Sequence, residues 1–182
     1  MPDTNTYPHL ALILGGASSG KSAFAERLAT SACRPRAYIA TSQPFDDEME
    51  VKIAKHQRDR GPDWQTMEAP LDLGAALAEL SYNSVVLIDC MTLWLSNQMQ
   101  AEADIEIEVD SLLTTLSKSP NPVVCVSNEL GMGLVPNTSL GRRFRDLQGI
   151  LNKRLAEQAD LVVFVTAGLP LVLKGGLPEG LA

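Results

Sequence analysis

Cysteine is scarce in this chain of 182 residues: Cys33, Cys90 and Cys125 form no CxxC pair and leave an odd count. That excludes a disulfide framework and a cysteine-based zinc site, and predicts buried thiols in a reducing compartment. Basic residues are also few. Fifteen Lys and Arg stand against 22 Asp and Glu, for a net charge of −7, which argues against a nucleic-acid partner. No apolar run approaches the ~20 residues that cross a bilayer. The opening "MPDTNTYPHL" has no basic region followed by an apolar stretch, so no signal peptide is expected. Repeats, low-complexity tracts and linkers are missing too. The expectation is a cytoplasmic protein of one domain spanning residues 1–182, with flexible tails at 1–8 and 175–182.

What is present is an alternation. Short β-branched runs, "LALIL" (10–14), "AYIAT" (37–41), "VVLID" (85–89), "VVCVS" (123–127) and "LVVFVT" (161–166), read as strands buried on both faces. Helical patterns fall between them, near residues 21–33, 46–60, 71–80, 105–118 and 139–158. In the last, Leu140, Phe144, Leu147, Leu151 and Leu155 form one apolar stripe. The pattern predicts an α/β fold: a mainly parallel sheet with helices on both faces and ligands at the strands' carboxyl ends. "LPLVLKG" is expected to add a short edge strand.

Directly after the first strand comes "GGASSGKS", comprising Gly15, Gly16, Ala17, Ser18, Ser19, Gly20, Lys21 and Ser22. It fits G-x-x-x-x-G-K-[ST], a loop whose backbone N–H groups cradle phosphates. Lys21 is then the residue that reaches the β/γ-phosphates, and Ser22 supplies a hydroxyl to Mg²⁺. A strand precedes the motif and a helix follows it, as this chemistry requires. Asp89, ending "VVLID", is a second candidate Mg²⁺ ligand; the alternative is a helix cap. A regulatory GTPase is disfavoured. "DLQG" (146–149) and "NKRL" (152–155) imitate guanine-switch signatures, but both lie inside the last helix and the second lacks its final Asp.

Beyond the loop, the chain carries "YIATSQPFDDEMEVKIAKHQRDRGPDWQTMEAP", "IDCMTLWLSN" and "SNELGMGLVPNTSLGRRFRDLQGILNKRLAEQAD". In this ordered set it resembles the bifunctional adenosylcobinamide kinase/adenosylcobinamide-phosphate guanylyltransferases over nearly its whole length. The resemblance implies phosphorylation of adenosylcobinamide with ATP or GTP. It also implies transfer of GMP from GTP to the product, through a covalent histidine adduct, with His56 at the matching position. It further implies nucleotide contacts from Gly15–Ser22, from Ala40, Thr41 and Ser42, from Gln57, Arg58, Asp59 and Arg60, and from Glu68 and Asp89. A homotrimer is implied as well. A kinase of another small alcohol would keep the phosphate loop and Asp89 but need no His56.

Geometry on the helical pattern supports His56 independently. With Asp46 or Asp47 as cap and Gly61-Pro62 as stop, Met49, Ile53, His56 and Arg60 fall within about 60° of arc on one face. His56 therefore shares a stripe with apolar residues. Asn128, Glu129 and Arg142 are candidates to hold the corrinoid substrate or its phosphate. "GMGLVP" (131–136) reads either as a loop that closes over the corrinoid or as a plain connection. "MTLWLSN" (91–97) reads mainly as packing.

Overall fold

A computed structural model describes residues 7–43 and 63–181. Its strands are β1 (Leu10–Gly15), β2 (Arg36–Ala40), β3 (Trp64–Glu68), β4 (Val85–Asp89), β5 (Val123–Asn128), β6 (Leu161–Thr166) and β7 (Leu169–Lys174). The helices are α1 (Lys21–Ser31), α2 (Leu73–Ala78), α3 (Met91–Gln100), α4 (Ile105–Lys118) and α5 (Ser139–Gln158). The strands form one sheet in the order β3-β2-β4-β5-β1-β6-β7. Only β7 runs antiparallel, paired to β6.

Apolar side chains alternate between the two faces of the sheet because successive strand residues point opposite ways. Leu10, Leu12, Ile39, Val86 and Ile88 join residues of α2, α3, α4 and α5 in one core layer. Ala11, Ile13, Tyr38, Val85 and Leu87 pack with Phe24 and Leu28 of α1 in the other. Parts of both expected tails lie on this second layer, since Tyr7, Leu177 and Leu181 pack against it. The Tyr7 hydroxyl also donates to the Leu28 carbonyl at 3.1 Å.

The five expected strands and the edge strand are all present. The helices expected near 21–33, 71–80, 105–118 and 139–158 form with adjusted ends, whereas that at 46–60 lies outside the described residues. Two elements are additional. Strand β3, "WQTME", carries exposed and half-buried residues on both faces, so it lacks the apolar run that marks a central strand. It is fixed from outside: Arg36 lies over the Trp64 ring at 5.5 Å and pairs with Asp63 at 3.1 Å. Helix α3 occupies "MTLWLSNQMQ"; its Trp94 is core, 2% exposed, and donates its indole N–H to the Leu71 carbonyl. The acidic stretch "EADIEIEVD" (102–110) opens α4. Asp104 caps it, accepting from the N–H groups of Glu106 and Ile107, and Glu106 and Glu108 fill the first turn, where the helix dipole favours them.

β1 connects through α1 towards β2, while the adjacent β5 connects through α5 towards β6 on the opposite side. Neighbouring strands whose connections diverge leave a crevice at their carboxyl ends, where α/β sheets bind ligands.

Candidate nucleotide site

Gly15 closes β1, and no larger residue fits there. A Cβ would collide with the Ser19 hydroxyl and lie 2.6 Å from the Val165 carbonyl. A Cβ on Gly16 would meet nothing, so that residue borders open space. Gly20 precedes α1 with φ of 91°, the left-handed region that glycine enters without steric cost. The loop thus folds back and presents the first turn of α1, whose N–H groups have no partner within the helix, to an anion. Lys21 folds over the loop, donating to the Gly16 carbonyl at 3.2 Å. The Ser22 hydroxyl and Asp89 carboxylate make no hydrogen bond or ion pair with any described residue.

A support for this loop comes from the far end of the chain. Ala167 and Gly168, with φ of 52° and 77°, make the two-residue turn joining β6 to β7. Gly168 donates its N–H to the Ser19 carbonyl at 2.8 Å. The loop, Glu129, Met132, Gly133 and residues 164–167 enclose an open cleft of about 360 Å³.

Asp89 ends β4, separated from β1 by β5 alone. At ~4.8 Å per strand, its backbone lies about 10 Å across the sheet from Gly15, within the combined reach of a carboxylate, a metal and a phosphate. Lys21 and Asp89 both act on Cys90. Burial pushes its thiol up to about 11, the Asp89 charge adds to the rise, and the Lys21 ammonium opposes it. No cluster of three or more His, Cys, Asp or Glu residues suited to a metal occurs among the described residues. Mg²⁺ at a triphosphate needs no such cage: one or two protein oxygens, phosphate and water suffice. Ser22 and Asp89 fit that requirement.

The remaining candidates divide. Ala40 is buried within β2, and Thr41 is fully engaged. The Thr41 hydroxyl donates to the Cys90 carbonyl and accepts from the Cys90 N–H, both at 2.7 Å. Its N–H donates to the Asp89 carbonyl, and its own carbonyl accepts from Asn97. Thr41 therefore holds the end of β4 in place, and within "ATS" only Ser42 keeps a side chain without a described partner. Glu129 turns its carboxylate to the N–H groups of Gly131 and Met132, at 2.6 and 3.1 Å, ordering the start of the "GMGLVP" loop. Arg142 braces the other end by donating to the Pro136 carbonyl at 3.0 Å. Between these braces Met132, Leu134 and Val135 are exposed. Asn128 ends β5 opposite Gly15.

A phosphate loop, a strand-end carboxylate two strands away and an apolar loop beside them form a frame that many phosphate-transferring proteins could share. Comparison with known proteins narrows it. The family model for cobinamide kinase / cobinamide phosphate guanyltransferase matches residues 11–173. The chain belongs to this family. The bifunctional adenosylcobalamin biosynthesis protein CobP of Pseudomonas aeruginosa is 44% identical over 167 residues, covering 90% of this chain and 96% of that protein. CobU of Escherichia coli, also a bifunctional adenosylcobalamin biosynthesis protein, is 38% identical over 181 residues, covering 91% and 99%. Among solved structures, the flagellar accessory protein FlaH of Methanocaldococcus jannaschii matches with a TM-score of 0.54 at 16% identity, covering 92% of this chain and 78% of that one. That likeness concerns the fold alone.

In this member of the cobinamide kinase/guanyltransferase family, Glu68 is exposed at the end of β3, the edge strand. Four strand spacings, about 19 Å, separate it from the phosphate loop, beyond the reach of a metal on the triphosphate. His56, Gln57, Arg58, Asp59 and Arg60 lie outside the described residues. Three contributors escaped sequence reasoning. Gly168 lies 149 positions from Ser19, the loop residue it holds, so only its A-G turn chemistry was visible locally. Gln148 and Asn152 are buried polar residues on the inner face of α5, and their place beside Leu151 and Leu155 at helical spacing was a readable signal. No described helix is long and apolar enough to cross a membrane.

Proposed function

We propose that this protein phosphorylates adenosylcobinamide with ATP or GTP and then transfers GMP from GTP to the resulting phosphate by way of His56. What carries the reading is the phosphate loop, with Ser22 and the β4-end Asp89 unpaired among the described residues, in a chain that belongs to this family over residues 11–173.

In the first reaction the aminopropanol hydroxyl attacks the γ-phosphorus and releases its proton to solvent, while the bond to the β–γ bridging oxygen breaks and the nucleoside diphosphate leaves. The loop N–H groups and Lys21 hold the phosphates and offset charge gathering on their oxygens. Ser22 and Asp89 would hold Mg²⁺, which would supply positive charge to offset that of the phosphates. In the second, a ring nitrogen of neutral His56 attacks the α-phosphorus of GTP. An N–P bond forms as the bond to pyrophosphate breaks; histidine is chemically suited to this role near neutral pH. The cobinamide phosphate oxygen then attacks the same phosphorus, breaks the N–P bond and returns the imidazole. Gln57, Arg58, Asp59 and Arg60 follow His56 closely enough to help bind the nucleotide, and Ser42 joins them from the end of β2. Glu68, too far from the loop for the metal, is the carboxylate for the guanosine end. Asn128, Glu129, Arg142 and the exposed apolar loop border the space for the corrinoid. Homotrimeric assembly is supported by Leu169, Leu171 and Leu173, all exposed on edge strand β7.

Incubation with GTP and Mg²⁺ should add one GMP per chain, labile to acid and stable to base, as mass spectrometry would read. His56→Asn should lose the adduct and guanylyl transfer while retaining measurable kinase activity. Full guanylyl transfer by this variant would remove His56 from the mechanism. Absence of any cobinamide phosphorylation by the wild type would remove the kinase assignment.

A further inference from the structure

A polar cluster is buried beneath the site, where a parallel sheet ordinarily holds only apolar side chains. Ser127 and Gln148 are fully buried, and Thr92 and Asn152 are 6% and 9% exposed. The Ser127 hydroxyl donates to Asn152 Oδ1 at 2.6 Å, and Gln148 Nε2 donates to the same oxygen at 3.0 Å and to Ser127 Oγ at 2.9 Å. Asn152 Nδ2 in turn donates to the Asn128 carbonyl at 3.0 Å. From the opposite side, the Asn128 N–H donates to Thr92 Oγ1 at 2.8 Å. The Asn128 backbone is thus clamped at both polar groups by side chains from two helices.

Such a cluster is a poor source of stability, because well-packed apolar residues of the same volume serve a core about as well. What it supplies is position. Asn128 stands opposite Gly15, the first residue of the phosphate loop, and β5 lies between the Lys21 loop and the Asp89 strand. Its side chain is not satisfied. Oδ1 is buried without a partner, and Nδ2 donates to no described residue. Buried side-chain oxygens are seldom left so, because desolvation without a hydrogen bond is costly. Lys21 now donates to the Gly16 carbonyl. It must leave that carbonyl to reach the β/γ-phosphates of a bound nucleotide.

The geometry points to Asn128 as a contact residue for the terminal phosphate of a bound triphosphate, with Thr92, Ser127, Gln148 and Asn152 as its positioning residues. Nδ2 donates to a γ-phosphate oxygen while Oδ1 accepts from the displaced Lys21 ammonium. The contact belongs to the γ end because Asn128 ends the strand between the phosphate loop, which carries the β/γ-directed Lys21, and the strand that ends in Asp89. The inference deepens the proposed kinase reaction, but its binding test does not depend on the identity of the phosphoryl acceptor.

Calorimetry with a non-hydrolysable ATP analogue and with ADP, each with Mg²⁺, separates the γ contact from the rest of the site. Asn128→Ala should weaken the analogue about tenfold or more and ADP by less than about threefold. The near-isosteric Asn128→Asp, placing a carboxylate beside the γ-phosphate, should weaken the analogue further. Thr92→Ala should reduce the analogue-over-ADP preference and kcat for phosphoryl transfer, and Thr92→Ser, which keeps the hydroxyl, should restore both. Equal losses for analogue and ADP in both Asn128 variants would overturn the contact. Wild-type discrimination in Thr92→Ala and in Asn152→Leu would overturn the positioning role. If the wild type phosphorylates no cobinamide while Asn128→Ala loses discrimination, the functional reading fails and this inference stands.

Discussion

Gly168 and Ser19, 149 positions apart, are joined by a 2.8 Å hydrogen bond from the amide of one to the carbonyl of the other. The β6–β7 turn therefore carries the phosphate loop from outside. A Cβ on Gly20 would lie 3.1 Å from Gly168 Cα, in a backbone conformation that already disfavours side chains. Gly20→Ala should raise the Kd for nucleotide by about five- to thirtyfold, the left-handed penalty being roughly 1–2 kcal/mol. Gly15→Ala should lower the Tm, because its Cβ meets Ser19 and the Val165 carbonyl, whereas Gly16→Ala should leave the Tm unchanged. Equal melting of the two variants would refute this account of the loop.

Lys21→Ala should abolish both transfers, since one triphosphate site is proposed to serve both. Loss of a preorganised cation from such a site costs about 3–4 kcal/mol, or a few hundredfold in rate. Kinase activity at the wild-type rate would contradict a shared site.

Glu68 and Asp89 should fail differently. Asp89→Ala should raise the Mg²⁺ concentration that both reactions need for half-maximal rate. Glu68→Ala should leave that dependence alone and reduce the preference for GTP over ATP in enzyme guanylylation. Steady-state titrations of Mg²⁺ and of each nucleotide check this. The assignment is wrong if Glu68→Ala leaves the GTP preference unchanged.

The thiols give a test of the packing. Burial holds Cys125 up at about 12 and Cys90 at about 11, so both remain protonated at pH 8, while Cys33 is exposed. The thiolate is the reactive form. Iodoacetamide at pH 8 should therefore modify Cys33 alone in the folded protein and all three cysteines after denaturation. Modification of Cys125 at the rate of Cys33, followed by peptide mass spectrometry, would contradict the buried sheet.

The sequence by itself determined the phosphate loop, the parallel sheet and the long helices. Each is marked by a pattern within about ten residues: "LALIL" followed by "GGASSGKS" and a helix pattern specifies strand, loop and helix locally. It left β3 unmarked, because an edge strand with polar residues on both faces has no apolar periodicity to read. It also left open whether Asp89 and Glu68 share a task. Strand order separates the two, placing one carboxylate two strands from the loop and the other four. Thr41 looked like a ligand at a strand end until its hydroxyl was found on Cys90, 49 positions later. Asn128 acquired its setting only when Thr92 and Asn152, 36 residues before it and 24 after, closed on its backbone. Local periodicity reports which face of an element is buried. Which polar atoms meet inside that buried layer is settled only when distant elements pack, because desolvation forces each of them to find a partner.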